Sequence, residues 1–415
     1  MTSTRRRMLG ALGAVPLAAG TVVATGGAAR GDDFARSAKD PVHLGPVPDA
    51  LKPGGELDRF VADLAAKDEF SGTLLLTRRG RPVLSRAYGM ADKQRNAPIG
   101  PDTIFALASV TKLFTAVAVT RLVQRGRLAY HATLGSYLDG FPPEIADRVT
   151  LHHLLTHTSG LGDHRETPGY AEAAAGWTTA DQVMDGTLGF IRKGGTAFPP
   201  GAGSRYSNSG YHLLGTIVAK VSGRSYFDHV REEVFRPAGM ADTDFVTAPR
   251  WRQDRRVARP YVKQTSGQRV DDVAGRMFIG TPAGDAFSTC RDMDRFARAL
   301  LGDKLLDPPF TRLVLGGKTP LGPPPKGPTP TGPTDPPPGG GGGTPPQAMF
   351  QCYGPTGMLI DNQWVIGHGG GADGESTNID MYPDGGWVAV ILSNYDRDTV
   401  RPIAGMVRRI ITSPR

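Results

Sequence analysis

A serine and a lysine three positions apart, in Ser109-Val110-Thr111-Lys112, are the residues of this chain best suited to chemistry. They open a stretch, Leu113 to Val119, that is apolar on nearly every face, and such a pattern predicts a buried helix. Lysine is almost never buried without a partner, so Lys112 at the start of that helix needs a cause. Residues three apart on a helix share a face. A lysine withdrawn from water has a lowered pKa, and as a neutral amine it can take the proton of a neighbouring hydroxyl. The N–H groups at a helix start also favour negative charge developing near Ser109. By itself the spacing is a weak signal, although it occurs once in the chain. The structural alternative is Ser109 as a plain helix cap, with Lys112 reaching solvent.

Two further groups follow in order. Tyr206-Ser207-Asn208 lies in a Gly/Ser-rich loop, just before a helix marked by the apolar stripe Leu214, Ile217, Val218 and Val221. His368-Gly369-Gly370 follows a short strand over Trp364–Ile366 and leads into Gly371. His152, His153 and His157 invite a metal reading, but no acid stands between them as in H-E-x-x-H. Neither a metal nor a cofactor is expected. A G-x-S-x-G elbow is absent, which removes the common α/β-hydrolase route.

The elements that must position these groups are strands at both ends around a helical middle. Glu56 to Lys67 reads as a helix, and Gly72 to Thr77 with Val83 to Tyr88 as a hairpin. Residues 105–300 read as mainly helical. Strands return at Thr356–Ile360, Trp364–Ile366, Thr377–Tyr382 and Trp387–Leu392, before a last helix from about Thr399 to Ile411 with Pro402 in its first turn. This order predicts an α+β fold, a mostly antiparallel sheet flanked by helices beside a helical subdomain, with the site between them. One catalytic domain is expected over 56–413, preceded by a polar linker at 31–55. From Lys318 to Pro346 the chain is almost entirely Pro, Gly and Thr, including the glycines 339–343, and predicts a mobile surface excursion.

Composition narrows the function classes. The chain has 415 residues, 39% hydrophobic and 21% charged, as a soluble globular protein would. Residues 1–30 open with Arg5-Arg6-Arg7, continue in a weakly apolar Ala/Gly-rich stretch and close near Gly27-Ala28-Ala29. That pattern predicts a twin-arginine-type signal peptide and export, to an extracellular, periplasmic or cell-wall location. Without those residues Lys+Arg falls from 48 to 44 against 40 acids, a net +4. So mild a balance, with no basic cluster, argues against nucleic-acid binding. After the signal no apolar run is long enough for stable membrane insertion. Cys290 and Cys352 remain in the exported part, and the sequence leaves open whether they pair.

At these motifs the chain resembles the serine beta-lactamase-related family of penicillin-recognising serine hydrolases. That family includes class C beta-lactamases, D-alanyl-D-alanine carboxypeptidases, D-amino-acid peptidases and related esterases. The resemblance runs from roughly 56 to 411 and takes in Leu154–Leu161, Ala286–Thr289 and Val390–Asn394. It implies the beta-lactamase/transpeptidase-like fold, with Ser109 attacking a carbonyl and Lys112 accepting its proton. Tyr206 would relay a proton to the leaving group and help activate water. Asn208 would bond the substrate amide and Lys112. His368 would line the pocket wall, Gly370 would border the substrate, and the N–H groups of Ser109 and Gly371 would form an oxyanion hole.

The expected substrate is a D-amino-acid peptide, a beta-lactam or a small ester, with the cell wall as a further partner. His368 stands where many relatives carry lysine, which weakens the case for an efficient beta-lactamase. Asp285, Asp373 and Glu375 depart from the family pattern near the expected mouth. They read first as solvated loop charges, and otherwise as a preference for substrates with a free amine. The alternative to an enzyme is a non-catalytic or very slow penicillin-binding, cell-wall-interacting protein.

Overall fold

Successive side chains of a strand point to opposite faces, and here both faces of the central sheet are covered. Its inner strands are therefore apolar throughout. In Trp387–Ser393 and Gly72–Arg78, Ala389, Ile391, Leu74 and Leu76 join the core on one side, while Val388, Val390, Leu392 and Leu75 join the core on the other.

The computed structural model describes residues 45–322 and 346–414, and the chain from Pro46 onward forms one unit. The expected signal, most of the expected linker and most of the Pro/Gly tract lie outside the described residues. The eight-stranded sheet runs Arg81–Tyr88, Gly72–Arg78, Trp387–Ser393, Glu375–Tyr382, Gln363–Ala372, Thr356–Ile360, Ala348–Gln351 and Thr319–Leu321. Every neighbouring pair is antiparallel. The two ends of the chain meet at Leu74 opposite Ile391, and the helical region is inserted between the hairpin and the far edge. This is the α+β, mostly antiparallel arrangement expected.

Helices Glu56–Ala66 and Arg401–Thr412 cover one face, burying Leu57, Val61, Ile403 and Val407. The other face carries Lys112–Gln124, whose Phe114 ring meets Phe235 and Phe296 edge-on, at 5.0 Å each. Against it packs Asn208–Ser222, capped at its start by Ser207, which accepts from the Gly210 N–H. Among the described residues no helix is long and apolar enough to cross a membrane.

Three local expectations change. The strand expected at Trp364–Ile366 extends to Ala372, so that His368, Gly370 and Gly371 are strand residues. Glycine is a poor strand former, and what holds Gly369, Gly370 and Gly371 extended is pairing with Asn378, Thr377 and Ser376. The excursion expected from Lys318 begins instead with an edge strand, Thr319–Leu321, paired to Met349–Gln351. The end of the expected linker is built into the core, since Asp49–Leu51 forms a turn with Leu51 fully buried. Cys290 and Cys352, whose pairing the sequence leaves open, are both free thiols, each buried, and burial pushes both up to about 12.

His212, on Asn208–Ser222, is fully buried and donates from Nε2 to Met184 O at 2.9 Å. Burial lowers its pKa from 6.5 to about 4. The unfolded chain takes up this proton at higher pH than the folded one, so stability is lost as pH falls from 6.5 towards 4. His212→Gln keeps a donor for Met184 O and removes that contribution. Denaturant unfolding at pH 7 and pH 5 will show the variant losing about 2 kcal/mol less than the parent on acidification. Equal losses would contradict the assignment.

Candidate active site

Ser109 sits on a turn held from both sides. The Leu107 N–H donates to Ala286 O at 2.8 Å, and Leu107 O accepts from Thr377 Oγ1 at 2.9 Å. Ala108 has φ 44°, in the left-handed region that residues with a side chain rarely adopt. Its carbonyl accepts from Asp285 N at 3.1 Å and Thr111 Oγ1 at 2.8 Å. Ala108–Thr111 then forms one 3-10 turn that runs into the helix Lys112–Gln124.

Lys112 is 0% exposed, which rules out the reading in which it reaches solvent. Its burial is compensated by hydrogen bonds. Nζ lies 3.1 Å from Ser109 Oγ, 2.8 Å from Asn208 Oδ1 and 2.5 Å from Ala283 O. The Tyr206 ring centroid is 4.6 Å away, and Tyr206 Oη donates to Ser109 Oγ at 2.7 Å. The serine oxygen thus stands between an amine and a phenol, an arrangement suited to proton removal on one side and proton relay on the other.

The Gln363–Ala372 strand passes along the same turn. Its neighbour Thr356–Ile360 pairs no further than Gly367, which among the described residues leaves 368–372 without a strand on that side. A Cβ on Gly370 would lie 2.5 Å from Leu107 O and Thr377 Oγ1 and 3.0 Å from Ser109 N. Only glycine permits this approach.

A cavity of about 690 Å³ opens in front of Ser109, with Asn208 and Gly371 also on its wall. The His368 ring is nearly buried, and its Nδ1–H donates to Gly369 O at 2.5 Å. Elsewhere the cavity combines apolar side chains (Ala171, Ala174, Met277, Phe287) with the charged Arg165, Arg276, Asp285 and Asp373. Glu375 is not the solvated loop charge expected, being 2% exposed with Oε1 3.0 Å from Arg276 Nη1. Burial raises it to about 8, with Arg276 pulling the other way and Asp285 adding to the rise.

Two residues of the site were missed. His157, at φ 58°, accepts the Ser207 N–H on Nδ1 at 3.1 Å and lays its ring 4.4 Å from that of Tyr206. Burial first, then Lys112 and His368 nearby, keeps it well below the usual histidine range, so the ring is neutral. Asp163 accepts from Asn208 Nδ2 at 2.7 Å. Both belong to the segment Leu154–Asp163, whose polar residues in an apolar context were the available signal. His152 bonds Tyr353 Oη at 2.9 Å, and His153 caps its own helix through Thr150.

The family model described as Beta-lactamase matches residues 57–411. The chain belongs to the beta-lactamase family. It is 33% identical over 226 residues to Penicillin-binding protein 4* of Bacillus subtilis (strain 168), covering 52% of this chain and 44% of that protein. It is 38% identical over 196 residues to Esterase EstB of Burkholderia gladioli, covering 45% and 49%. The chain therefore spans about half the length of these curated relatives. Among solved structures, a penicillin binding protein from Bacillus halodurans matches with TM-score 0.69 at 25% identity, covering 83% of this chain and 98% of that one.

In this beta-lactamase-family site Gly370→Ala will push the strand away from the Ser109 amide. A lost oxyanion donor typically costs about 100–1,000-fold, and a fall in kcat of about 100-fold is expected here, read by steady-state ester hydrolysis with thermal melting as the folding control. Unchanged kcat would show that this approach does not matter to the reaction.

Proposed function

We propose that this chain is an exported serine hydrolase that forms a covalent acyl-enzyme on Ser109. The observation that carries the reading is the fully buried Lys112 amine, 3.1 Å from Ser109 Oγ, with the Tyr206 phenol 2.7 Å from the same oxygen. Lys112 accepts the serine proton as Oγ bonds to the substrate carbonyl carbon. The carbonyl oxygen becomes an oxyanion facing the N–H groups of Ser109 and Gly371. As the tetrahedral intermediate collapses, the bond to the leaving group breaks and Tyr206 relays a proton to it. Water then attacks the ester, losing a proton to the same groups, and Ser109 recovers its own as the acid leaves.

The substrate class is a D-amino-acid peptide, a beta-lactam or a small ester, in that order. Relatives named as a penicillin-binding protein and an esterase support that range. His368, which brings no permanent cation to the position where many relatives carry lysine, weighs against an efficient beta-lactamase. The apolar side chains along the cavity suit an acyl half with a bulky apolar group. Export rests on the arginine-led, small-residue opening of the chain.

The test is a panel of a D-alanyl-D-alanine peptide, a chromogenic short ester and a fluorescent penicillin, each with Ser109→Ala as control. Turnover of the peptide or ester is expected, falling by roughly 1,000-fold or more in the variant. A stable adduct on Ser109 without turnover would favour the slow penicillin binder instead. Turnover that survives Ser109→Ala would overturn the assignment of the nucleophile.

A further inference from the structure

We infer that Asp163, acting through Asn208, turns the lone pair of Lys112 towards the Ser109 hydroxyl, and so is a positioning residue for the catalytic amine. The inference rests on the reading of Ser109 and Lys112 as nucleophile and base, and deepens it.

A carboxylate only accepts hydrogen bonds. Asp163 Oδ2 accepts from Asn208 Nδ2 and from Arg165 Nη2, both at 2.7 Å, while Oδ1 accepts from Arg165 N at 3.0 Å and Arg165 Nε at 3.1 Å. Burial alone would raise its pKa, but the hydrogen bonds and charge of Arg165, joined by the Asn208 bond, hold the carboxyl well below the usual range. His164, 3.8 Å away, is lowered to about 3 by burial and stays neutral. Asp163 is therefore ionised, and acceptor only, throughout the neutral range.

The consequence passes to Asn208. The two ends of an amide have nearly the same shape, and only the hydrogen-bond network decides which way it points. Facing a carboxylate, Asn208 must present its NH2 to Asp163 and its carbonyl to Lys112, where Oδ1 lies 2.8 Å from Nζ. Ala283 O, 2.5 Å from Nζ, also only accepts.

A neutral amine has two hydrogens and one lone pair. In the neutral form that the proposed base role requires, the two acceptor-only oxygens of Asn208 and Ala283 draw both hydrogens of Lys112, and the lone pair is left for Ser109 Oγ, 3.1 Å away. The serine hydroxyl can then donate to it while accepting from Tyr206. With Asn208 turned over, its NH2 would face Nζ and compete for that lone pair, and the serine proton would lose its acceptor. Donation thus runs from Ser109 to Lys112, Asn208 and Asp163, and the Arg165 guanidinium fixes the far end.

The rival role for Asp163 is local, since it caps the short turn His164–Glu166 through Arg165 N. Asp163→Asn separates the two, because it keeps volume and an oxygen for the cap but is no longer acceptor only. General-base catalysis contributes about 100-fold or more, and a loss of kcat of that size is expected for ester hydrolysis, with KM and the melting temperature little changed. Asp163→Ala should show a similar loss, partly restored by added formate, which supplies an acceptor-only carboxylate beside the cavity-lining Arg165. Formate should not restore Asp163→Asn.

A wild-type kcat in Asp163→Asn, or a melting temperature that falls with kcat intact for the folded fraction, would overturn the inference. So would an Asp163→Ala loss that formate leaves untouched. Should the parent hydrolyse none of the panel, the proposed function fails first. Asp163 is then judged by the rate at which a fluorophosphonate labels Ser109, with slow labelling in Asp163→Asn expected and parental labelling overturning the role.

Discussion

A lysine amine cannot stay in an apolar interior unless protein groups satisfy it, and Lys112 is the point where that constraint acts. It lies at the start of a helix buried on nearly every side, with no exposure of its own. Its partners include groups from separated parts of the chain: its own helical turn, the start of Asn208–Ser222 and the carbonyl of Ala283. A buried donor left unmatched costs about 1–3 kcal/mol, so the segments must meet closely. The loop around Ala283 is pinned accordingly, with Pro282 O accepting from Thr115 Oγ1 at 2.7 Å and Ala286 N donating to Thr111 Oγ1 at 2.9 Å. Satisfying one nitrogen brings nucleophile, amide and loop into register.

Backbone strain gathers around the same point. Ala108, His157 and Asp285 all have left-handed backbones although none is glycine, and such residues cost about 1–3 kcal/mol each unless their surroundings impose them. Two of the three restrain each other, since the Asp285 N–H donates to Ala108 O. His157 is held by Arg205 N on its carbonyl and Ser207 N on its ring. The sheet supplies the rigid side of this assembly, because Thr377 reaches across to Leu107 O from a strand buried along its whole length. The conformations that aim Ser109 and Tyr206 are therefore maintained by long-range hydrogen bonds rather than by local preference.

That division explains how much could be read from the sequence. Periodicity and composition revealed the two-ended sheet, the helical middle and the buried helix, because apolar spacing reports burial directly. Ser109, Lys112, Tyr206 and Asn208 stood out because each offers chemistry at a conspicuous place, and the structure brings them together. Asp163 did not, since its importance lies in a contact 45 residues away. Nor could Ala283, because every residue has a carbonyl and nothing marks the one that faces an amine. The strand carrying His368 reads as too short in the sequence because glycines 369–371 look like loop until their pairing partners are known. Leu51 seemed part of a polar linker because a single apolar residue has no periodicity.

The ionisation of the surroundings bears on why the geometry can stay constant. His157 accepts a backbone N–H on Nδ1 and is kept neutral by burial, so it packs against Tyr206 without adding charge. His164, lowered to about 3, behaves in the same way beside Asp163. Asp163 stays ionised on the strength of Arg165. An amide whose orientation depends on an acceptor-only neighbour needs that neighbour to hold its charge across the working range, and these environments provide it. Glu375, raised to about 8, is the contrary case near the cavity. Its charge changes close to neutrality with Oε1 3.0 Å from Arg276 Nη1, so ionisation takes that pair from a net positive charge to none. Asp163, His157 and His164 keep their charge state around Ser109, and the change with pH falls on the Arg276 side of the cavity.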